Sequence, residues 1–310
     1  MATKTTTVSS KIAGILTPTM TPLNDDGQIN EPELRRYIDW LLEQGVHGLF
    51  PNGSTGEFPR FTPEERRRVN QIVCDQAAGR VPVLAGAAEA NVRETLRACE
   101  ACAEFGARSV AIVSPYYFHL SPEAVYAYYR EVVRDTPIDV TLYNIPSFAS
   151  PIDVQTVQRL AEFPRVIGIK DSSGDMGHLL RMMAAVEPNR PDFIFLCGSE
   201  AALVPMLAMG CQGATLAMSG IVPEITRKLY ELTMCGRLRE ARTLQMKFTE
   251  LLDMIIFGAN FPEGVRAAVE LRGFKLGPSR QPPDETQRLD LKRINRRIER
   301  LLKDLGTKED

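Results

Sequence analysis

The chain has 310 residues and a formal net charge of −2, with 37 lysines and arginines against 39 aspartates and glutamates. This length suits one large α/β domain or two ordinary ones. The near-neutral charge gives no overall attraction to nucleic acid or to an acidic membrane. Hydrophobic residues make up 44% of the chain, as in soluble globular proteins, and no apolar run is long enough to span a bilayer.

Eight short apolar segments bounded by turn residues predict eight β-strands, at 12–18, 48–50, 81–87, 109–113, 139–143, 166–171, 193–197 and 213–217. A helical pattern follows each of them, and the eighth ends near residue 235. Uniformly apolar strands separated by helices are covered on both faces and lie parallel. Eight such units in roughly 230 residues predict a closed (β/α)8 TIM barrel. An open doubly wound sheet is the alternative, although no GxGxxG fingerprint follows the first strand.

Two helix starts carry capping signals. Asn30 precedes the first helix, and Glu33 is predicted to complete a capping box with it. Thr62 precedes the second helix, with Pro63 at the first helical position and Glu65 at the third. Both signals support the alternation of strands and helices.

Three more helical segments follow the barrel, at 238–256, 262–272 and 285–305. The last has Leu and Ile at helical spacing amid many Arg and Lys. Because the whole chain is slightly acidic, this pattern indicates a helix with a solvated basic face rather than a nucleic-acid-binding helix. We expect a disordered tail over 1–11, a barrel over 12–235 and a helical extension over 236–310 that packs on the barrel.

The six cysteines are scattered and mostly lie in apolar segments, which predicts reduced thiols in a cytoplasmic protein. Cys99 and Cys102 form a CxxC pair inside a helical pattern, where helix packing explains them better than redox chemistry or zinc. The three histidines form no cluster with cysteines, so no metal site is expected. The N-terminus lacks the apolar core of a secretory signal.

The strand at 166–171 ends in Lys170, whose stem lies in an apolar interior. A lysine in such a place is rare unless it is paired or functional. Burial disfavours the ammonium, so a neutral amine becomes accessible near neutral pH and can form a Schiff base with a carbonyl. An ion pair with a carboxylate such as Asp171 is the alternative, and this stretch alone leaves both open.

Active residues of parallel barrels lie at the C-terminal ends of the strands and in the loops after them. Polar side chains occupy this position after four of the predicted strands: Ser54 and Thr55, Tyr116 and Tyr117, Tyr143, and Lys170.

Each of these groups has a plausible chemical role. The turn at Gly53, Ser54 and Thr55 can present hydroxyls and backbone N–H groups to a carboxylate, although an ordinary turn would look the same. Tyr143 can pass a proton between a lysine carbinolamine and a substrate hydroxyl, or it can be a half-buried barrel tyrosine. Together with Lys170 they predict Schiff-base chemistry on an α-keto acid, without a cofactor or a metal.

Four motifs stand in the order and spacing of one family: GSTGE at 53–57, SPYY at 114–117, YNIP at 143–146 and GIKD at 168–171. Over nearly its whole length the chain resembles the dihydrodipicolinate synthase / N-acetylneuraminate lyase family of class I pyruvate-dependent aldolases. The resemblance implies a TIM barrel with a C-terminal helical extension, usually in a homotetramer built as a dimer of dimers.

The resemblance also implies roles for individual residues. Lys170 would form the imine with pyruvate, Tyr143 would shuttle protons, and Ser54 with Thr55 would bind the carboxylate. Tyr117 matches the tyrosine that reaches the active site of a neighbouring subunit in the synthases.

Departures from the family pattern bear on the substrate. The synthases have an arginine five residues after the catalytic tyrosine, where this chain has Phe148, and an apolar ring cannot replace a bidentate guanidinium. The sialic acid lyases have an acidic pair after the glycine matched by Gly198 and a serine after strand eight. The corresponding residues here are Glu200, Ala201 and Ala217, so one acid is kept and two polar contacts are lost.

The 2-keto-3-deoxy sugar-acid aldolases resemble the chain well at 167–171 and 196–198. We therefore expect reversible cleavage of a 2-keto-3-deoxy sugar acid to pyruvate and an aldehyde, with Glu200 and Ser172 contacting the aldehyde-side hydroxyls. Cleavage of N-acetylneuraminate, and dehydration or decarboxylation through the same imine, are alternatives. A non-catalytic keto-acid binder that kept the fold is another. Neither nucleic acid nor a membrane is an expected partner.

Overall fold

A computed structural model describes residues 11–282, 284, 286 and 288–306 of the chain. Its eight parallel strands are β1 (Gly14–Pro18), β2 (Gly48–Phe50), β3 (Leu84–Gly86), β4 (Ser109–Val113), β5 (Val140–Asn144), β6 (Val166–Asp171), β7 (Ile194–Cys197) and β8 (Gly213–Thr215). Neighbours in the sheet follow the order β2-β1-β8-β7-β6-β5-β4-β3. A parallel bridge between Leu49 and Val83 joins β2 to β3 and closes the sheet. The predicted barrel is confirmed, and the open sheet is wrong.

A helix follows each strand and covers the outside of the barrel. These helices are α1 (Glu31–Glu43), α2 (Pro63–Ala77), α3 (Val92–Glu104), α4 (Pro122–Asp135), α5 (Val154–Leu160), α6 (Met176–Val186), α7 (Leu203–Ala208) and α8 (Pro223–Met234). Three more helices form the C-terminal extension: α9 (Leu238–Ile256), α10 (Glu263–Glu270) and α11 (Leu291–Gly306).

The core has two layers, because successive side chains of a strand point to opposite faces of the sheet. One layer fills the barrel interior and includes Leu16, Phe50, Leu84, Tyr143 and Leu196. The other lies between the strands and the helices and is much larger. The barrel interior is therefore packed and leaves room for a ligand only at its ends.

The two capping signals have different outcomes. Thr62 and Glu65 form the predicted reciprocal capping box of α2. Asn30 caps α1 by accepting a hydrogen bond from the Glu33 backbone N–H, but the return bond is absent among the described contacts. The Asn30 backbone N–H donates to the carbonyl of Pro22, and the Glu33 carboxylate accepts from Arg36. The predicted capping box at Asn30 is therefore only half formed.

The extension packs on the last barrel helices: α9 lies against α7 and α8, and α11 lies against α8, α9 and α10. The helix predicted at 285–305 begins later, at Leu291. Residues 1–10 of the predicted tail, and residues 283, 285, 287 and 307–310, lie outside the described residues. No helix in the described part of the chain is long and apolar enough to cross a membrane.

The CxxC cysteines lie where the helical pattern places them. Cys99 and Cys102 are buried on α3, and burial raises the pKa of the Cys99 thiol to about 12. The Asn70 side chain donates a hydrogen bond to Cys102 Sγ. These are buried packing thiols, and the described residues contain no group of three His, Cys, Asp or Glu able to hold a metal ion.

Candidate active site

A cavity of about 410 Å³ opens at the C-terminal ends of the strands, a size typical of small-molecule sites. Nine of the predicted site residues line it: Ser54, Thr55, Tyr143, Phe148, Lys170, Ser172, Gly198, Glu200 and Ala217. Gly53 and Tyr117 are not in its lining. One face of the barrel thus collects residues from the loop after β2, the ends of β5 and β6, and the segments after β7 and β8.

Lys170 lies on β6 beside Tyr143 of β5, its partner in the parallel register. Its side chain is only 4% exposed. The amine Nζ lies 4.0 Å from the ring centroid of Tyr143 and 4.9 Å from that of Phe50. The amine therefore lies against two aromatic rings at the wall of the cavity.

The alternative ion pair between Lys170 and Asp171 is wrong. The Asp171 carboxylate accepts hydrogen bonds from the Asn144 side chain at 2.6 Å and from Ser173 Oγ at 2.7 Å. Neighbouring residues of a strand point to opposite faces, so sequence adjacency does not bring these two charges together. Among the residues that the structure describes, no salt bridge to Lys170 occurs.

The loop after β2 brings two hydroxyls to the amine. Ser54 Oγ lies 3.1 Å from the Tyr143 hydroxyl, and Thr55, 6% exposed, lines the same cavity. Gly53 supports the loop from behind, since a Cβ there would lie 2.9 Å from the Phe50 ring. Its predicted role in substrate binding stays a prediction.

Ion pairs hold this loop against the rest of the molecule. The Glu57 carboxylate pairs with Arg266 of α10 at 2.6 Å and with Arg60 at 2.6 Å. The Arg266 guanidinium also donates to the carbonyls of Leu276 and Gly277. The extension therefore helps to fix the position of the loop that carries Ser54 and Thr55.

Gly198, which follows β7, makes room for the lysine. A Cβ at this position would lie 2.0 Å from Ser172 Oγ and 3.0 Å from Lys170 Cε. Its backbone N–H donates to the Asp171 carbonyl at 2.7 Å. Any side chain at residue 198 would displace Lys170 or Ser172.

Glu200 supplies a carboxylate to the cavity wall. It accepts a hydrogen bond from the Met218 backbone N–H at 3.3 Å, and the N–H of Ala217 points at it too. Although part of the residue reaches solvent, the surrounding protein desolvates the carboxyl and raises its pKa. Among the described residues that line this cavity, Glu200 is the only aspartate or glutamate.

The tyrosines after β4 lie outside this cavity. Tyr117 is 89% exposed, has a left-handed backbone with φ of 82°, and packs edge-on against Phe118, which is also exposed. Tyr116 lines a second cavity of about 260 Å³, which shares Ser54 and Phe148 with the first. Burial raises the pKa of Tyr116.

Several lining residues were missed by the sequence reasoning: Pro18, Ile145, Ser147, Ser173, Gly174, Ser199, Thr215, Ile256, Phe257 and Phe261. Thr215 ends β8, so the strand-end rule could have found it. Ile256, Phe257 and Phe261 come from the extension, where no strand marks the site. Phe261 stacks on Phe148 with ring centroids 6.1 Å apart.

Known proteins share this architecture. A sequence profile of the dihydrodipicolinate synthetase family matches residues 11–301. An uncharacterized DapA-like lyase from Halobacterium salinarum is 36% identical over 270 residues, which cover 87% of each protein. A 4-hydroxy-tetrahydrodipicolinate synthase from Methanopyrus kandleri is 35% identical over 299 residues, which cover 96% of this chain and 97% of that protein.

A solved structure agrees with the sequence relatives. YagE, a prophage protein of the dihydrodipicolinic acid synthase family from E. coli K12, was crystallised in complex with pyruvate. It matches this chain with a TM-score of 0.84 and 28% identity, over 95% of this chain and 99% of YagE. The fold and the relatives define a TIM-barrel carbon–carbon lyase. The chain belongs to the dihydrodipicolinate synthetase family.

Proposed function

We propose that the protein is a Schiff-base (class I) aldolase that reversibly cleaves a 2-keto-3-deoxy sugar acid to pyruvate and an aldehyde. The observation that carries this proposal is the geometry of Lys170. It is a buried amine without an ion-pair partner among the described residues, and it lies beside a tyrosine hydroxyl that is hydrogen-bonded to Ser54. Pyruvate bound to the related YagE supports the choice of keto acid.

The proposed reaction begins when Lys170 Nζ attacks the C2 carbonyl and water leaves, which forms a protonated imine. Tyr143 gives its proton to the carbinolamine hydroxyl that leaves as water, and the resulting phenolate then takes the proton of the C4 hydroxyl. The C3–C4 bond breaks, its electron pair forms the C2–C3 double bond of an enamine, and the imine π electrons pass to the nitrogen. The aldehyde departs, the enamine takes a proton at C3, and hydrolysis releases pyruvate. Ser54 can relay protons to and from Tyr143, and Thr55 with Ser54 binds the carboxylate.

The cavity lining argues against an aldehyde that bears its own carboxylate. Lys170 is the only cationic side chain among the described residues that line this cavity. Its amine becomes part of the imine, so it is not free to bind a second carboxylate. Arg60 lines the adjoining cavity but is paired with Glu57 and Glu263. Phe148 offers no hydrogen-bond donor, so the dihydrodipicolinate synthase activity of the Methanopyrus relative is not proposed for this chain.

Polar groups near the lysine support a hydroxylated substrate. Ser172 and Glu200 line the cavity wall beyond Lys170, where they can bond to hydroxyls on C4 and C5. Ala217 stands where the sialic acid lyases have a serine, so the larger sialic acid would lose a contact. A short sugar acid needs fewer partners and fits the contacts that are present.

We further propose a cytoplasmic homotetramer in which Tyr117 enters a neighbouring subunit's site. A tyrosine that is 89% exposed on a left-handed backbone is costly unless something covers it. The adjoining cavity of about 260 Å³, which Tyr116 and Ser54 line, is mostly apolar and large enough to hold an aromatic ring. The free cysteines, Cys74, Cys99, Cys102, Cys197, Cys211 and Cys235, fit a reducing compartment.

The proposal is tested by incubating the protein with pyruvate and borohydride, followed by intact and peptide mass spectrometry. A reduced pyruvyl adduct confined to the Lys170 peptide is expected. If the folded protein gives no adduct, the imine mechanism is wrong and a non-catalytic keto-acid binder takes its place. With an adduct in hand, the products of 2-keto-3-deoxy sugar acids separate retro-aldol cleavage from dehydration, since only cleavage releases pyruvate and an aldehyde.

A further inference from the structure

The two ends of the main cavity differ in chemistry. Its floor holds Lys170 and Tyr143, each 4% exposed, whereas its mouth is rimmed by Phe148 at 55% and Phe257 at 75%. In the proposed reaction the imine fixes C2 at the floor, and the turn at Ser54 holds C1. The substrate's far end must therefore extend towards the mouth.

Two polar side chains of the lining, Ser172 and Glu200, follow strands β6 and β7, close to Lys170. Ser172 Oγ and Lys170 Cε both lie within 3.0 Å of the position that a Gly198 Cβ would occupy, so they are close neighbours. Glu200 is held at the backbone of Met218, just after β8. These groups can serve the hydroxyls next to the bond that breaks, but they leave the last carbon of the substrate to the aromatic rim.

One side of the rim is apolar. Phe148 and Phe261 stack at 6.1 Å with an interplanar angle of 28°, and both rings line the main cavity and the adjoining one. Ile145 is shared in the same way. Ser147 is exposed and also lines the main cavity. Its hydroxyl is therefore the group that would bind a terminal hydroxyl of the substrate if the rim selected for one.

We propose that Phe148 and Phe261 are specificity-determining residues that select a substrate ending in a methyl group, so that the aldehyde product is a deoxy-aldose fragment such as lactaldehyde rather than glyceraldehyde. This inference rests on the proposed aldolase function and adds its substrate class. The two rings offer a terminal hydroxyl no hydrogen-bond partner. A terminal methyl can instead pack against them and remove apolar surface from water.

The test compares two acceptors that differ by one oxygen atom. The rate of condensation with pyruvate is measured for lactaldehyde and for glyceraldehyde of the same configuration, as kcat/KM for each. Apolar pockets discriminate such pairs by about 10- to 100-fold, and we expect a preference of this size for lactaldehyde. Equal rates, or a preference for glyceraldehyde, would overturn the inference.

Three variants locate the source of the preference. Phe148→Ser places a hydroxyl at the rim and is expected to bring the ratio of the two kcat/KM values near one, while Phe148→Leu keeps an apolar wall and keeps the preference. Because Phe148 is half exposed, both variants should fold. If the wild type prefers glyceraldehyde and Ser147→Ala removes that preference, Ser147 reads the terminal group and the inference fails.

Two controls separate this inference from the function on which it rests. Borohydride trapping with pyruvate alone reports the Lys170 imine and does not involve the acceptor. A trapped imine with the wrong acceptor preference refutes only the apolar rim. If Phe148→Ser changes the molecular mass in light scattering but not the acceptor ratio, Phe148 covers a partner subunit instead, and the inference is again refuted.

Discussion

The Ser54 hydroxyl lies 3.1 Å from the Tyr143 hydroxyl, although the two residues are 89 positions apart. The barrel brings them together because the loop after β2 and the end of β5 open on the same face. Since the Tyr143 ring also lies 4.0 Å from Lys170 Nζ, Tyr143 contacts both the loop that carries Ser54 and the amine. This chain of contacts is the route by which protons are proposed to enter and leave the reacting centre.

Removing the Tyr143 hydroxyl should therefore slow the reaction while keeping the pocket. Tyr143→Phe retains the ring that packs on Phe50, and we expect kcat to fall by about 10²–10⁴-fold, the usual range for a lost proton-transfer group. Ser54→Ala removes the other partner of the same hydrogen bond. It should lower kcat by less, because the Tyr143 hydroxyl remains. Steady-state pyruvate release measures both. A Tyr143→Phe enzyme with unchanged kcat would show that another group moves the proton.

Lys170→Met should abolish both turnover and trapping. A thioether fills a similar volume but cannot form an imine, so activity should fall at least about a thousand-fold. The folded protein should be as stable as the wild type or more so, because the substitution replaces a buried polar group that has no ion-pair partner in the described structure by an apolar one. Melting curves and borohydride trapping are measured on the same sample. Turnover that survives in Lys170→Met would exclude the imine mechanism.

The barrel was predictable because its strands are short apolar runs between turn residues, a pattern that local chemistry sets. Strand ends were less predictable. The third strand was predicted at 81–87 but pairs only over Leu84–Gly86, since Pro82 has no N–H to donate and Val83 forms only the bridge that closes the barrel.

The candidate site was predictable where the strand-end rule applies, as at Tyr143 and Lys170. The site was not predictable where its contacts form between residues that only the folded chain brings together. Asp171 is next to Lys170 in sequence, yet its carboxylate bonds to Asn144. Phe261 reaches the site from the extension, and no periodic pattern links that region of the chain to the strand ends that form the rest of the cavity.

Gly198→Ala tests whether Lys170 can keep its position when residue 198, just after β7, carries a side chain. The new methyl would lie 2.0 Å from Ser172 Oγ, so we expect kcat/KM to fall by at least about tenfold, in line with the cost of misplaced catalytic groups. Adding Ser172→Ala removes one clash but leaves Lys170 Cε at 3.0 Å, so rescue should be partial. Full rescue by the second substitution would show that Lys170 is not displaced.

Glu200 predicts a specific dependence of stability on pH. Burial raises the pKa of its carboxyl in the folded protein, so the folded state binds the proton more tightly than the unfolded chain. Stability from Glu200 is therefore greatest below the ordinary carboxyl pKa and is lost as pH rises through that value towards the raised one. Glu200→Gln should stabilise the protein little near about pH 4 and more near about pH 7. Melting temperatures of both proteins at the two pH values measure this, and an equal difference at both would contradict it.

The buried pair of Glu57 and Arg266 should couple stability to catalysis. Their side chains are 2% and 6% exposed, so Arg266→Met leaves a buried carboxylate with Arg60 as its remaining partner. Removing one member of such a pair costs about 3–5 kcal/mol of unfolding free energy, measured by urea denaturation. Combining it with Glu57→Gln should cost less than the sum of the two single changes, because no carboxylate is then left unpaired.

Arg296→Met is the matched control, because Arg296 is exposed on α11 and a surface change is expected to stay within about 0.5 kcal/mol. At temperatures where Arg266→Met is folded, kcat/KM should still be reduced, since the loop that carries Ser54 loses its anchor on α10. The control should keep its kcat/KM. A destabilised Arg266→Met protein with full activity would show that the loop keeps its position without the extension.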